Sequence, residues 1–90
     1  MNRVLVVCAD PRFRRVARRV FEAGGYNVVG EDDDGIDALV LLQSNAHAID
    51  ILSIIDFLDP PLDARELRRI VRASYPHIQV WGPNLPGPDD

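Results

Sequence analysis

The sequence contains no lysine and no threonine, so its ten basic side chains are all arginine. Any site that needs a lysine ammonium group is therefore excluded. The single cysteine, Cys8, cannot form an internal disulfide, which agrees with a reducing compartment. The chain also lacks an apolar run long enough to span a membrane, and no signal-peptide cleavage site follows its first residues. We therefore expect a cytoplasmic protein that does not associate with membranes.

What is present is typical of one globular domain. Ninety residues, 47% hydrophobic and 27% charged, are enough for a single modest core. The net charge of −4 argues against bulk attraction to nucleic acid. The charge is uneven, however, because one segment carries Arg12, Arg14, Arg15, Arg18 and Arg19, and another carries Glu31, Asp32, Asp33 and Asp34.

The hydrophobic pattern predicts four strands alternating with three helices. The predicted strands are Val4–Val7, Tyr26–Val29, Ile49–Phe57 and Ile78–Trp81, and the predicted helices are Pro11–Ala23, Ile36 to about Asn45, and Asp63–Ser74. This alternation implies a parallel sheet with right-handed crossovers. Functional groups collect at the carboxyl ends of such strands, where Asp10, the Glu31–Asp34 run and Asp56 are expected to lie. Residues 82–90, with three prolines and two glycines, are predicted to be a flexible tail after a domain of residues 1–81.

Four stretches resemble, in order, the receiver domain of two-component response regulators. They are Val4 to Pro11, Gly24 to Glu31, Asp34 to Leu39, and Asp56 to Leu67. The family places a phosphoaccepting Asp four residues before a Pro and seven before an Asp, and Asp56, Pro60 and Asp63 have this spacing. The resemblance covers roughly residues 3–81. It implies a flavodoxin-like three-layer α/β sandwich, shortened to β-α-β-α-β-α-β with a four-stranded parallel sheet in the order 2-1-3-4.

The departures from the family concern its metal and phosphoryl chemistry. The family holds Mg²⁺ with two acidic residues directly after the first strand, and here those positions are Cys8 and Ala9. A thiol and a methyl group are poor ligands for Mg²⁺, which prefers oxygen, so no cofactor is expected. The family's lysine after strand five is missing, and Gly82 or Asn84 lies nearest to its Ser/Thr position. Asp50 also lies one residue further from Asp56 than the family spacing implies.

Two functions therefore remain open for this non-enzymatic chain. One is a degenerate pseudo-receiver that acts by protein–protein interaction or dimerisation. The alternative is a working phosphorelay receiver with Asp56 as the phosphoacceptor. Asp10 either caps the first helix, which its position before a proline favours, or helps Asp56 to hold a weakly bound cation. The Glu31–Asp34 run is interpreted as a solvated loop, and Cys8 as a small buried residue.

The expected contact surfaces lie on the first helix and on the last strand. Arg12, Arg15 and Arg19 share one helical stripe, which is either solvated or contacts an acidic partner or a phosphate backbone; nucleic-acid binding is the weaker alternative. The family's last helix has no residues here, which predicts an uncovered sheet face and an exposed edge. We therefore expect a homodimer or domain-swapped dimer that buries either the sheet face or the edge formed by Ile78, Val80 and Trp81. A histidine kinase or regulatory protein is expected as a further partner.

Overall fold

A computed structural model describes residues 2–55 and 58–82. The strands are β1 (Arg3–Val7), β2 (Asn27–Asp32), β3 (Ile51–Ile54) and β4 (Gln79–Trp81), and the helices are α1 (Pro11–Ala23), α2 (Gly35–Asn45) and α3 (Ala64–Ser74). A 3-10 turn, Ala46–Ala48, follows α2. The strands form a parallel sheet in the order β2-β1-β3-β4, which confirms the predicted fold class and strand order.

The two central strands are buried on both faces of the sheet. Val4, Leu5, Val6 and Val7 of β1 are completely buried, as is Leu52 of β3. Side chains alternate between the two faces of a strand, so a strand covered on both sides must be apolar throughout. The β-branched run in β1 and the apolar run in β3 therefore specify the middle of the sheet.

Helices cover the two faces of the sheet unequally. On one face, α2 and α3 build the larger core, which includes Leu5, Leu42, Leu52, Leu67 and Val71. On the other face, α1 covers a smaller core of Val4, Val6, Val28 and Ile51. Helix α1 has no fully buried residue, and its contact with the sheet is made by the partly buried Ala17 and Phe21. No helix of the described ranges is long and apolar enough to cross a membrane.

Each helix begins at an aspartate that caps it. The Arg12 amide donates to Asp10 Oδ1 at 2.8 Å, so the prediction that Asp10 is a helix cap is confirmed. Asp34 caps α2 and Asp63 caps α3 in the same way. An N-cap carboxylate satisfies an amide that has no partner within the helix, and its negative charge suits the positive end of the helix dipole.

Strand β2 runs further along the sequence than predicted. Glu31 pairs with Val6 and Asp32 with Val7, so the interpretation of these two acidic residues as a solvated loop is wrong. A register shift between Val4 and Leu5 accompanies this extension. The extension is tolerated because arginines of α1 neutralise Glu31, as described below. Strand β3 is shorter than predicted, since Ile49 and Asp50 precede it.

An ion pair that sequence reasoning did not find fixes the start of the sheet. Arg3 donates to the Asp50 carboxylate from its backbone amide at 2.9 Å, from Nε at 2.9 Å and from Nη2 at 3.0 Å. The hydrogen bonds from the Arg3 side chain, and then the one from its amide, hold the pKa of Asp50 well below its usual range. The pair ties the beginning of β1 to the residue before β3.

We expect the Asp50→Asn variant to lose a stabilisation that depends on pH. The folded state lowers the pKa of Asp50, so the carboxylate contributes stability above its unfolded pKa of about 3.9 and loses it as the pH falls further. Wild type should therefore exceed Asp50→Asn in unfolding free energy by a constant margin near neutral pH, and the margin should shrink below about pH 4. Urea denaturation across pH measures this margin. The exposed Asp59→Asn serves as the control, and a margin that grows in acid would contradict the assignment.

Candidate functional site

The carboxyl end of β1 carries a cysteine and an alanine. Cys8 is completely buried; its amide donates to the Asp32 carbonyl at 3.0 Å, and its thiol donates to the Asp10 carbonyl at 3.4 Å. The interpretation of Cys8 as a small buried residue is therefore confirmed. Asp10 turns its carboxylate to the first turn of α1, where Arg12 Nη2 also lies 3.5 Å from Asp10 Oδ2.

Two arginines of α1 form ion pairs with Glu31 at the acidic end of β2. Arg14 Nη1 donates to the Cys8 carbonyl at 2.7 Å, and Arg14 Nε lies 3.5 Å from Glu31 Oε1. Arg18 binds the other oxygen of Glu31 and also pairs with Glu22 at 3.1 Å. Only 21% of the Arg14 side chain is exposed, so this arginine does not lie on the solvated face of α1. The helical spacing alone could not show this, because the contact depends on the extended β2.

Acidic side chains crowd the start of α2 next to this arginine pair. Carboxylate oxygens of Asp33, Asp34 and Asp37 all lie within 4.8 Å of one another. Burial raises the pKa of Asp32, and the charges of these three aspartates raise it further, while the nearby Arg14 lowers it. Repulsion from Asp34 is the largest cause of the raised pKa of Asp37. The sequence correctly indicated the crowding of charge here, although not that Asp32 is half-buried.

Asp56, the phosphoacceptor candidate, lies outside the described residues, as does Asn84. The neighbouring part of β3 is well defined. Val7 pairs with Ile54, and the Ile55 amide donates to the Val7 carbonyl at 2.9 Å. This register places Ile55 level with Cys8. The ion pair between Arg3 and Asp50 fixes the residue that precedes β3.

The outer face of α1 carries exposed apolar and basic side chains. No other part of the described chain covers them. Phe13, Val16 and Val20 are 55%, 56% and 65% exposed. Arg12, Arg15 and Arg19 are exposed beside them, and the last two form no ion pair within residues 2–55 and 58–82. An exposed apolar stripe bordered by charge is typical of a protein contact surface.

Strand β4 forms an open edge of the sheet as far as the described residues extend. Ile78 is buried in the larger core and Val80 is half-buried, whereas Trp81 is 37% exposed. Trp81 stacks on Phe21, with ring centroids 6.2 Å apart, and meets Tyr26 edge-on. A groove of about 490 Å³ runs beside the edge and is lined by Arg68, Arg72, Pro76, Ile78, Gln79, Val80 and Trp81. Of the three predicted interface residues of this strand, Trp81 is thus the most accessible.

Comparison with known proteins gives related sequences and a similar structure, although no family model matches the chain. The chain is 39% identical over 75 residues to the transcriptional regulatory protein NarL of Mycobacterium tuberculosis, covering 80% of this chain and 33% of that protein. It is 35% identical over 66 residues to the virulence-factor transcription regulator BvgA of Bordetella pertussis, covering 73% and 30%. The signal receiver domain of NarL from Mycobacterium tuberculosis has a TM-score of 0.73 at 34% identity, covering 87% of this chain and 61% of that one. The chain therefore spans about a third of the length of these curated relatives.

Proposed function

We propose that this chain acts by binding other proteins rather than as a metal-dependent phosphoryl switch. The chain belongs to the family of receiver domains of response regulators in two-component signalling. The observation that carries the proposal is the buried Cys8 at the end of β1. Cys8 and Ala9 occupy the two positions at which receiver domains have the acidic pair that binds Mg²⁺.

The side chains directly after β1 do not supply the ligands of the magnesium ion that the family implies. Mg²⁺ needs oxygen ligands in a nearly octahedral arrangement. Cys8 offers a thiol that is directed to the Asp10 carbonyl, and Ala9 offers no ligand. Asp10 is engaged as a helix cap, which leaves its carboxylate on the first turn of α1. These side chains therefore leave a transferred phosphoryl group without the metal ion that would compensate its charge.

We expect no phosphoryl adduct when the protein is incubated with acetyl phosphate and MgCl₂. Without the acidic pair, no bound metal ion would compensate the charge of the transferred dianion. Intact mass spectrometry of wild type and Asp56→Asn gives the measurement. A wild-type adduct that disappears in Asp56→Asn would instead favour the phosphoreceiver, with Asp56 as the acceptor. A receiver domain known to accept phosphate, treated in parallel, shows that the donor is active.

The outer face of α1 supports binding to a protein partner. Its apolar stripe of Phe13, Val16 and Val20 is more than half exposed in each residue. The arginines beside the stripe favour a partner with an acidic border. A histidine kinase or another regulatory protein of a two-component system is the kind of partner that this family suggests.

We also propose self-association through the open edge of β4. In the described residues this edge pairs with no other strand, and Trp81 exposes 37% of its surface beside it. Unpaired edge strands readily add a strand from another chain. A two-fold axis at the edge would bury the same groove on both copies.

We expect sedimentation velocity to show a concentration-dependent dimer that Gln79→Lys weakens by at least about fivefold, because like charges would then meet across the axis. Gln79 is exposed at the edge next to the arginine-lined groove. Gln43→Lys makes the same change on the exposed surface of α2 and should leave the dimer intact. A stable wild-type monomer at micromolar concentration would contradict the dimer.

A further inference from the structure

The guanidinium of Arg14 lies at the carboxyl ends of β1 and β2, the end of the sheet where the family resemblance locates a divalent cation. Arg14 follows the N-cap by one turn, and its amide donates to the Asp10 carbonyl at 3.0 Å. Its side chain turns back over the strand ends, with 21% of its surface exposed. The backbone of α1 thus fixes where this positive charge lies.

The groups that Arg14 contacts are oxygen atoms. Nη1 donates to the Cys8 carbonyl oxygen at 2.7 Å, and Nε lies 3.5 Å from Glu31 Oε1. Carbonyl and carboxylate oxygens are also the ligands that Mg²⁺ and Ca²⁺ take in proteins. The planar fork of a guanidinium suits two such acceptors at once.

The charge of Arg14 also acts on Asp32. One carboxylate oxygen of Asp32, Oδ2, is buried and has no hydrogen-bond partner in the described part of the chain. Arg14 is the cation that opposes the combined effect of burial and three neighbouring aspartates on this group. Its positive charge is therefore positioned where carbonyl and carboxylate oxygens converge.

We propose that Arg14 is a tethered cation that takes the place of a bound divalent ion at this end of the sheet. Arg14 contacts the Cys8 carbonyl and Glu31, and its charge partly offsets that of the half-buried Asp32. A second cation would be repelled by the guanidinium and would find two of these oxygens already engaged. The inference rests on the proposed function only for the location of the cation site, and its readout is separate from the phosphorylation assay.

The test compares the thermal midpoint of the full chain in millimolar MgCl₂ and in NaCl of equal ionic strength. Wild type should have the same midpoint in both salts. Arg14→Ala frees the oxygens, so its midpoint should rise by roughly 4–8 °C when Mg²⁺ is present at about five times its dissociation constant. Arg14→Gln removes the charge and keeps a hydrogen-bond donor for the Cys8 carbonyl. If Arg14→Ala does not fold, Arg14→Gln replaces it in the same measurement.

Arg18→Ala is the matched control. It removes the same charge from the same helix and also loses a contact with Glu31, but Arg18 does not contact the Cys8 carbonyl. Its midpoint should not respond to Mg²⁺. A wild-type protein that Mg²⁺ stabilises as much as it does Arg14→Ala would overturn the proposal. An absence of response in both Arg14 variants would overturn it as well, whereas either result would leave the phosphorylation measurement unaffected.

Discussion

Replacing Leu42 by alanine is expected to lower the unfolding free energy by about 2–5 kcal/mol, because the variant leaves a cavity that the core cannot fully close. Leu42 is completely buried on the inner face of α2, within the larger of the two cores. A domain of this size has a total stability of roughly 5–13 kcal/mol, so the variant should lose a large fraction of it. Urea denaturation followed by far-UV circular dichroism measures the loss, as a lower midpoint with an unchanged m value.

The control for Leu42→Ala lies two residues away in the same helix. Val40 is 58% exposed, so Val40→Ala removes little buried surface. Alanine also has the higher helix propensity, which is worth up to about 0.7 kcal/mol. Val40→Ala should therefore be as stable as wild type or slightly more so. Similar losses in the two variants would show that Leu42 does not lie in the core as described.

Replacing Gly35 by alanine is expected to destabilise the protein by about 1–3 kcal/mol, although helix propensity alone favours alanine. Gly35 is the first residue of α2, and a Cβ atom there would lie 2.8 Å from the Leu62 carbonyl oxygen. That oxygen belongs to the backbone, so it cannot move away as the end of a flexible side chain would. The close approach between the start of α2 and the segment before α3 depends on the missing side chain.

Gly24→Ala makes the same chemical change without the clash. A Cβ atom at Gly24 would meet its nearest neighbours at 3.5 Å, an ordinary van der Waals distance, and its φ of −84° suits any residue. This variant should be unchanged or more stable by about 0.4–1 kcal/mol. Thermal unfolding of both variants and wild type gives the comparison. A Gly35→Ala protein as stable as Gly24→Ala would mean that the two segments do not approach so closely.

The parts of the fold that sequence reasoning predicted are those with a local signal. Helix α1 was predicted with its observed bounds, since Asp10 and Pro11 mark its start and the glycines after Ala23 mark its end. The strand order came from the family resemblance and agrees with the sheet. The end of β2 was missed because acidic residues suggest a solvated loop. Within the strand, ion pairs with Arg14 and Arg18 compensate the charge of Glu31.

The sequence predicted which residue types occupy the candidate site, but not which atoms contact one another there. The absence of the acidic pair at Cys8 and Ala9 follows directly from the sequence. The contact of Arg14 with the Cys8 carbonyl depends on how the helix turns back over the strand end, which no periodicity reveals. The pair of Arg3 and Asp50 was missed for a related reason, because its partners are 47 residues apart.

The position of Trp81 has a practical consequence, because it is the only tryptophan in the sequence. Its indole lies on β4 and stacks on Phe21 of α1, so one chromophore joins the open edge of the sheet to the helix with the exposed apolar stripe. Emission from a partly exposed indole shifts to shorter wavelength when a partner excludes water from it. Intrinsic fluorescence can therefore follow whatever covers this side of the molecule, without a label and with a signal from a single, known position.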